Sequence, residues 1–106
     1  MCIGTADKYG RYERMKRMTK DEILKSAIER YGNTSQLIVA MEEMADLTKE
    51  LSKFFRGAHN EYAIAEEIAD VRIMMDQIEI MFDCAGAAAV YQEAKVERLR
   101  KRLEDT

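Results

Sequence analysis

Proline and tryptophan are absent from this chain, glycine occurs only five times, and there are just two cysteines and one histidine. Without proline, and with so little glycine, no long stretch is barred from helical geometry. Cys2 and Cys84 have neither disulfide-framework nor zinc-site spacing, which excludes a stapled secreted scaffold and suits a reducing, cytoplasmic setting. Cys84, in an apolar context, is expected in the core. A single histidine excludes the paired Glu-x-x-His ligands of a di-iron bundle. That residue, His59, falls in an expected turn, where a surface or helix-end role outweighs that of a catalytic base. There is no glycine-rich phosphate loop and no apolar run of membrane-spanning length. Met1-Cys2-Ile3-Gly4 is not followed by an apolar segment, so no secretory or lipoprotein leader and no membrane partner are expected.

What remains is strongly helix-forming. Ala, Met, Leu, Glu, Lys and Arg dominate, with 47% hydrophobic and 35% charged residues, so a folded all-α chain is expected. A length of 106 residues fits one core. The net charge of −3 gives no global attraction to nucleic acid, and no stable nucleic-acid binding is expected. Lys8, Arg11, Arg14, Lys16, Arg17 and Lys20 make a local basic run. Residues 1–18 therefore read as a flexible, solvated segment, with a phosphate-facing arm as the alternative, ahead of a single helical domain over 19–106.

Thr19-Lys20-Asp21-Glu22 has the form of a capping box, which predicts a helix from Thr19 to Tyr31 stopped by Gly32. Asn33, Thr34 and Ser35 are good N-cap types, so a second helix opens there and runs to Phe55. Gly57 and Asn60 mark a turn with a helix-ending glycine and a capping asparagine. A third helix is predicted over Glu61 to Cys84, with Gly86 either breaking or bending it before a last helix through Leu103. Leu37, Met41, Met44, Thr48, Leu51 and Phe55 form one stripe at helical spacing. Ile64, Ile68, Val71, Met75, Ile78 and Phe82 form another. The two long helices are expected to pack along these stripes as an antiparallel hairpin, and a second hairpin, from this chain or another copy, completes a four-helix bundle.

Each long helix carries an acid pair at i and i+3, Glu43 with Asp46 and Glu67 with Asp70. The midpoints of Glu43 with Asp70 and of Asp46 with Glu67 both fall between Arg56 and Gly57, where the turn is placed independently. An antiparallel hairpin thus brings four carboxylates to one height. Clustered carboxylates repel unless a cation sits among them, and hard ions such as Mg²⁺ or Mn²⁺ prefer oxygen ligands. On the second helix a solvated acidic face balanced by Lys49 and Lys53 is the competing reading. On the third, the acids share a face with Ala63, Met74 and Met81, which argues against full solvation.

These motifs resemble the MazG-type all-helical nucleoside triphosphate pyrophosphohydrolases, whose hallmark is E-x-x-E on one helix and E-x-x-D on the next. Glu67-Ile68-Ala69-Asp70 matches the second motif, while Glu43-Met44-Ala45-Asp46 carries aspartate in the final place. Ser35-Gln36-Leu37, Asp70-Val71-Arg72-Ile73 and Lys95-Val96-Glu97-Arg98-Leu99 extend the likeness to the small stand-alone members. The resemblance implies Mg²⁺-dependent hydrolysis of a (deoxy)nucleoside triphosphate to monophosphate and pyrophosphate in a homodimer or homotetramer, with Mn²⁺ as a substitute ion. It makes Glu43, Asp46, Glu67 and Asp70 the metal ligands and Glu42 or Glu50 the acid that orients or deprotonates water. Lys49, Lys53, Arg72, Lys95 and Arg98 become candidate phosphate contacts, and Gln36 a candidate base contact. A dUTP-selective member of the superfamily and a non-catalytic oligomerisation module are the alternatives.

Overall fold

A computed structural model describes residues 10–106; Cys2 and Lys8 lie outside the described residues. Helix α1 is described over 10–16 and is exposed. Then follow α2 (Lys20–Tyr31), α3 (Asn33–Phe55), α4 (Glu61–Met81) and α5 (Ala85–Glu104). No strand occurs among the described residues. The secondary structure of the described residues is all helical, as the composition predicts.

The helix boundaries follow from identifiable caps. Thr19 Oγ1 accepts from the Glu22 backbone N–H while the Glu22 carboxylate accepts from the Thr19 N–H, so the capping box forms as read. Gly32, at φ 90°, closes α2 with its N–H on the Ile28 carbonyl and also opens α3. None of Asn33, Thr34 or Ser35 is the cap, because the glycine already supplies the change of direction and the helix starts immediately after it. Two Schellman motifs end the long helices. In the first, Gly57 is left-handed at φ 94°, with its N–H on Phe54 and the Ala58 N–H on Lys53. In the second, Asp83 takes φ 50°, with its N–H on Ile80 and the Cys84 N–H on Glu79.

The second motif corrects the expected end of the third helix. It stops at Met81, three residues early, and the break falls at Phe82 to Cys84, while Gly86 sits inside the first turn of α5. Asp83 provides the left-handed position that glycine usually provides, since its short polar side chain tolerates that region. Cys84 is half-buried at this junction rather than in the core.

The main packing is the antiparallel pair α3 and α4, with α2 lying across both and α5 resting on α4. Leu24 is the buried residue of α2, and Lys20 Nζ reaches Asp76 Oδ2 on α4 at 2.9 Å. The surfaces that meet between α3 and α4 are not the expected stripes. The enclosed series is Gln36, Ala40, Glu43, Leu47 and Glu50 on α3, and Ala63, Glu67, Asp70, Met74, Gln77 and Met81 on α4. Each member precedes the expected one by a single residue, so both helices are rotated by about 100° from the stripe-to-stripe arrangement. Ala40 is 1% and Met74 5% exposed, against 61% for Met41, 90% for Phe55 and 62% for Phe82. Leu37, Ile64, Val71 and Ile78 remain half-buried on the flank of the interface. Periodicity located the most apolar stripe of each helix, but it did not specify which partner that stripe meets.

Candidate metal centre

The rotation turns the acid-bearing faces inward. Carboxylate oxygens of Glu43, Asp46 and Glu67 lie within 4.8 Å of one another, with Glu43 and Glu67 half-buried and Asp46 on the exposed rim. Asp70 is half-buried and hydrogen-bonds with the Glu43 carboxyl. The cross-helix neighbours are thus Glu43 with Asp70 and Asp46 with Glu67, the pairs that share a midpoint at Arg56 and Gly57.

Electrostatics follow from this enclosure. Burial raises the Glu43 carboxyl above its ordinary value, and the charges of Asp70, Asp46 and Glu67 push it further. Burial also raises Glu67, with Asp46 and Asp70 as the next contributors. The charged neighbours acting on both are all acids, and none comes from α5. Glu67 Oε2 is fully enclosed and has no hydrogen-bond partner.

Glu50 lies one turn beyond Asp46 toward the hairpin turn and behaves oppositely. Asn60 Nδ2 donates to Glu50 Oε2 at 2.6 Å and to the Glu50 backbone carbonyl at 2.9 Å. Lys53 Nζ donates to Glu50 Oε1 at 3.3 Å. The Asn60 bond leads in holding the Glu50 carboxyl below its ordinary value, and Lys53 adds to it against the cost of burial. Asn60 therefore does not cap its own helix with its side chain, in contrast to the expectation from sequence.

The other candidate residues are dispersed. Glu42 and Lys49 are exposed on α3, Arg72 is exposed on α4, and Lys95 and Arg98 lie on α5, which has no buried residue. Lys53 is occupied by Glu50. Gln36 is buried, and at its level in the hairpin register stands Gln77, also buried, with an unpartnered Oε1. Gln77 was not singled out by sequence, and Asn60 was expected only as a helix cap. The signal was present in the register, since the midpoints of Lys53 with Asn60 and of Gln36 with Gln77 also fall between Arg56 and Gly57. A separate pocket between α2 and α4, lined by Lys20, Leu24, Asp76 and Asp83, contains none of the cluster acids.

The raised carboxyls make a stability prediction for ion-free protein. Between the ordinary glutamate value of 4.5 and the higher folded values of Glu43 and Glu67, the folded chain binds more protons than the unfolded one. Their contribution to stability therefore falls as pH rises through that window. Glu50 acts in the other direction, but its loss of stability on acidification comes below 4.5. In chelator-treated protein, acidification from neutral pH toward 4.5 is expected to raise the melting temperature. Glu67→Gln is expected to raise it at neutral pH and to flatten the pH dependence. Thermal melts of both proteins across this range check the expectation.

No family model, curated protein or solved structure matches this chain.

Proposed function

We propose that this chain hydrolyses nucleoside or deoxynucleoside triphosphates to the monophosphate and pyrophosphate with Mg²⁺, or Mn²⁺ in its place, as its resemblance to the MazG-type enzymes implies. The observation that carries the reading is the enclosed Glu67 Oε2, which lacks a donor and stands among carboxylates from both helices. A structural ion-pair network at this level would draw on lysine or arginine, yet the neighbours acting on Glu43 and Glu67 are acids. A donor set of carboxylate oxygens fits a hard divalent cation.

In this reading Glu43, Asp46, Glu67 and Asp70 hold the ion. When bound, Mg²⁺ supplies charge neutralisation for the phosphates and lowers the pKa of water. Asp46, on the exposed rim, leaves the cluster open to solvent and to the triphosphate. Water attacks the α-phosphorus, the bond to the bridging oxygen breaks, pyrophosphate leaves, and the proton given up by the water passes to solvent. Of the two acids considered for handling this water, Glu50 is the better placed, because its charge acts on Glu67 whereas Glu42 is exposed. Held ionised with both oxygens engaged, Glu50 suits orientation better than proton abstraction. Lys49, Lys53 and Arg72 remain the phosphate contacts proposed within the hairpin. Lys95 and Arg98 are proposed from α5, and Gln36 as a base contact.

Self-association belongs to the same proposal. The accessible surface is 8937 Å², where a compact chain of this mass exposes about 6,100 Å². The radius of gyration is 19.1 Å against about 13 Å for a compact domain of this length. Met41, Leu51 and Phe55 on α3, Met75 on α4 and Phe82 just after it lie exposed on the outward stripes. Such a surface fits the buried face of a homodimer or homotetramer. It also favours a second reading, a helical oligomerisation module without catalysis. Free Cys84 suits a cytoplasmic location. No helix among the described residues is long and apolar enough to cross a membrane.

Pyrophosphate release from a panel of common triphosphates, including dUTP, separates these readings. Wild-type protein is expected to be active only with Mg²⁺ or Mn²⁺. Asp70→Asn is expected to lose at least about 100-fold, because a ligand charge worth several kcal/mol in the transition state is removed. Inactivity of wild type on every triphosphate, or an Asp70→Asn variant as active as wild type, favours the oligomerisation module.

Sedimentation at micromolar concentration is expected to give a dimer or tetramer, and Phe55→Glu with Met41→Glu is expected to shift it toward monomer. A well-folded wild-type monomer contradicts self-association.

A further inference from the structure

Asparagine ranks among the best N-cap residues because its side-chain oxygen can accept from the first-turn N–H groups of the helix it precedes. Asn60 stands at that position of α4 and makes no such bond. Its Nδ2 instead crosses to α3, where it meets both the Glu50 carbonyl, at 2.9 Å, and Glu50 Oε2, at 2.6 Å. The amide has one workable orientation, since turning it over would set Oδ1 against two acceptors. Lys53 takes the other carboxylate oxygen, and the Glu50 side chain is only 16% exposed, so the carboxylate is fixed in direction. Ala63 stands at the level of Glu50 in the hairpin register. Glu50 lies one turn from Asp46 on the same helix, and its charge acts on Glu67.

We infer that Asn60 is a positioning residue, holding the Glu50 carboxylate where it extends the cluster of Glu43, Asp46, Glu67 and Asp70 toward the turn and strengthens its grip on a divalent cation. The inference rests on the metal-binding reading proposed above. Asn60 has two separable roles here. Its bond to the Glu50 carbonyl staples the turn and concerns stability, whereas its bond to Oε2 orients a charge and concerns the ion. Residues that orient the groups around a metal typically cost 10- to 100-fold in affinity when removed.

Mn²⁺ binding by calorimetry to the full chain, well below its melting temperature, distinguishes the roles. Asn60→Ala and Glu50→Gln are each expected to weaken Mn²⁺ binding by about tenfold or more. The double variant is expected to bind about as weakly as the weaker single one, because Asn60 acts through Glu50. Wild-type affinity in Asn60→Ala, or losses that multiply in the double variant, overturns the inference while leaving the metal site standing. Glu50→Gln preserves an acceptor for Asn60 and therefore the turn, so wild-type affinity in this variant overturns it even where Asn60→Ala folds poorly. Absence of saturable Mn²⁺ binding in the wild type removes the metal-binding reading and this inference together.

Discussion

Four carboxylates at one level between two antiparallel helices repel each other, and a chain that folds around them must supply protons or a cation. The enclosed groups reflect that constraint. Glu43 and Glu67 hold their protons more tightly than ordinary glutamates, Glu43 hydrogen-bonds with Asp70, and one Glu67 oxygen has no partner. Ala40 and Ala63 lie on the same inward faces as the acids. The orientation that turns the acid-bearing faces inward leaves Met41, Leu51, Phe55, Met75 and Phe82 exposed, so the enclosed acids and the apolar exterior of the hairpin have one geometric cause.

Much of this arrangement was legible in the sequence because it depends on local chemistry. The Thr19 to Glu22 capping box and the left-handed Gly57 are written in residue types that tolerate few other roles. The level of the acids followed from a single symmetry, the midpoint at Arg56 and Gly57, which needs only a tight antiparallel turn. The rotation of the helices was not legible. A helix with two adjacent stripes at the same spacing offers two ways to pack, and choosing between them depends on long-range contacts that periodicity does not encode. The end of α4 at Met81 was missed for a different reason, since the left-handed residue after it is Asp83, and aspartate adopts that position less often than glycine and leaves a weaker mark.

Glu50 illustrates how position within one polar arc decides chemistry. Glu42, Glu43, Asp46 and Glu50 look alike in sequence, yet Glu42 faces solvent, Glu43 is driven toward protonation, Asp46 lies on the rim and Glu50 is held ionised by Asn60 and Lys53. Under the proposed function, an ion enters beside Glu67, whose enclosed oxygen has no partner, and leaves undisturbed the bonds that already hold Glu50. Division of labour among the acids thus arises from their neighbours, Asp70 and Glu67 in one case and Asn60 in the other.

The central claim, that the interior carboxylates are a divalent-cation site, is tested most directly by adding small amounts of Mn²⁺ to isotopically labelled protein and following paramagnetic broadening of backbone amide signals. The account predicts saturable broadening centred on Glu43, Asp46, Glu67 and Asp70, displaced by excess Mg²⁺. Broadening spread over the exposed acids of other elements, such as Asp21 and Glu104, with no preference for the hairpin interior, contradicts it.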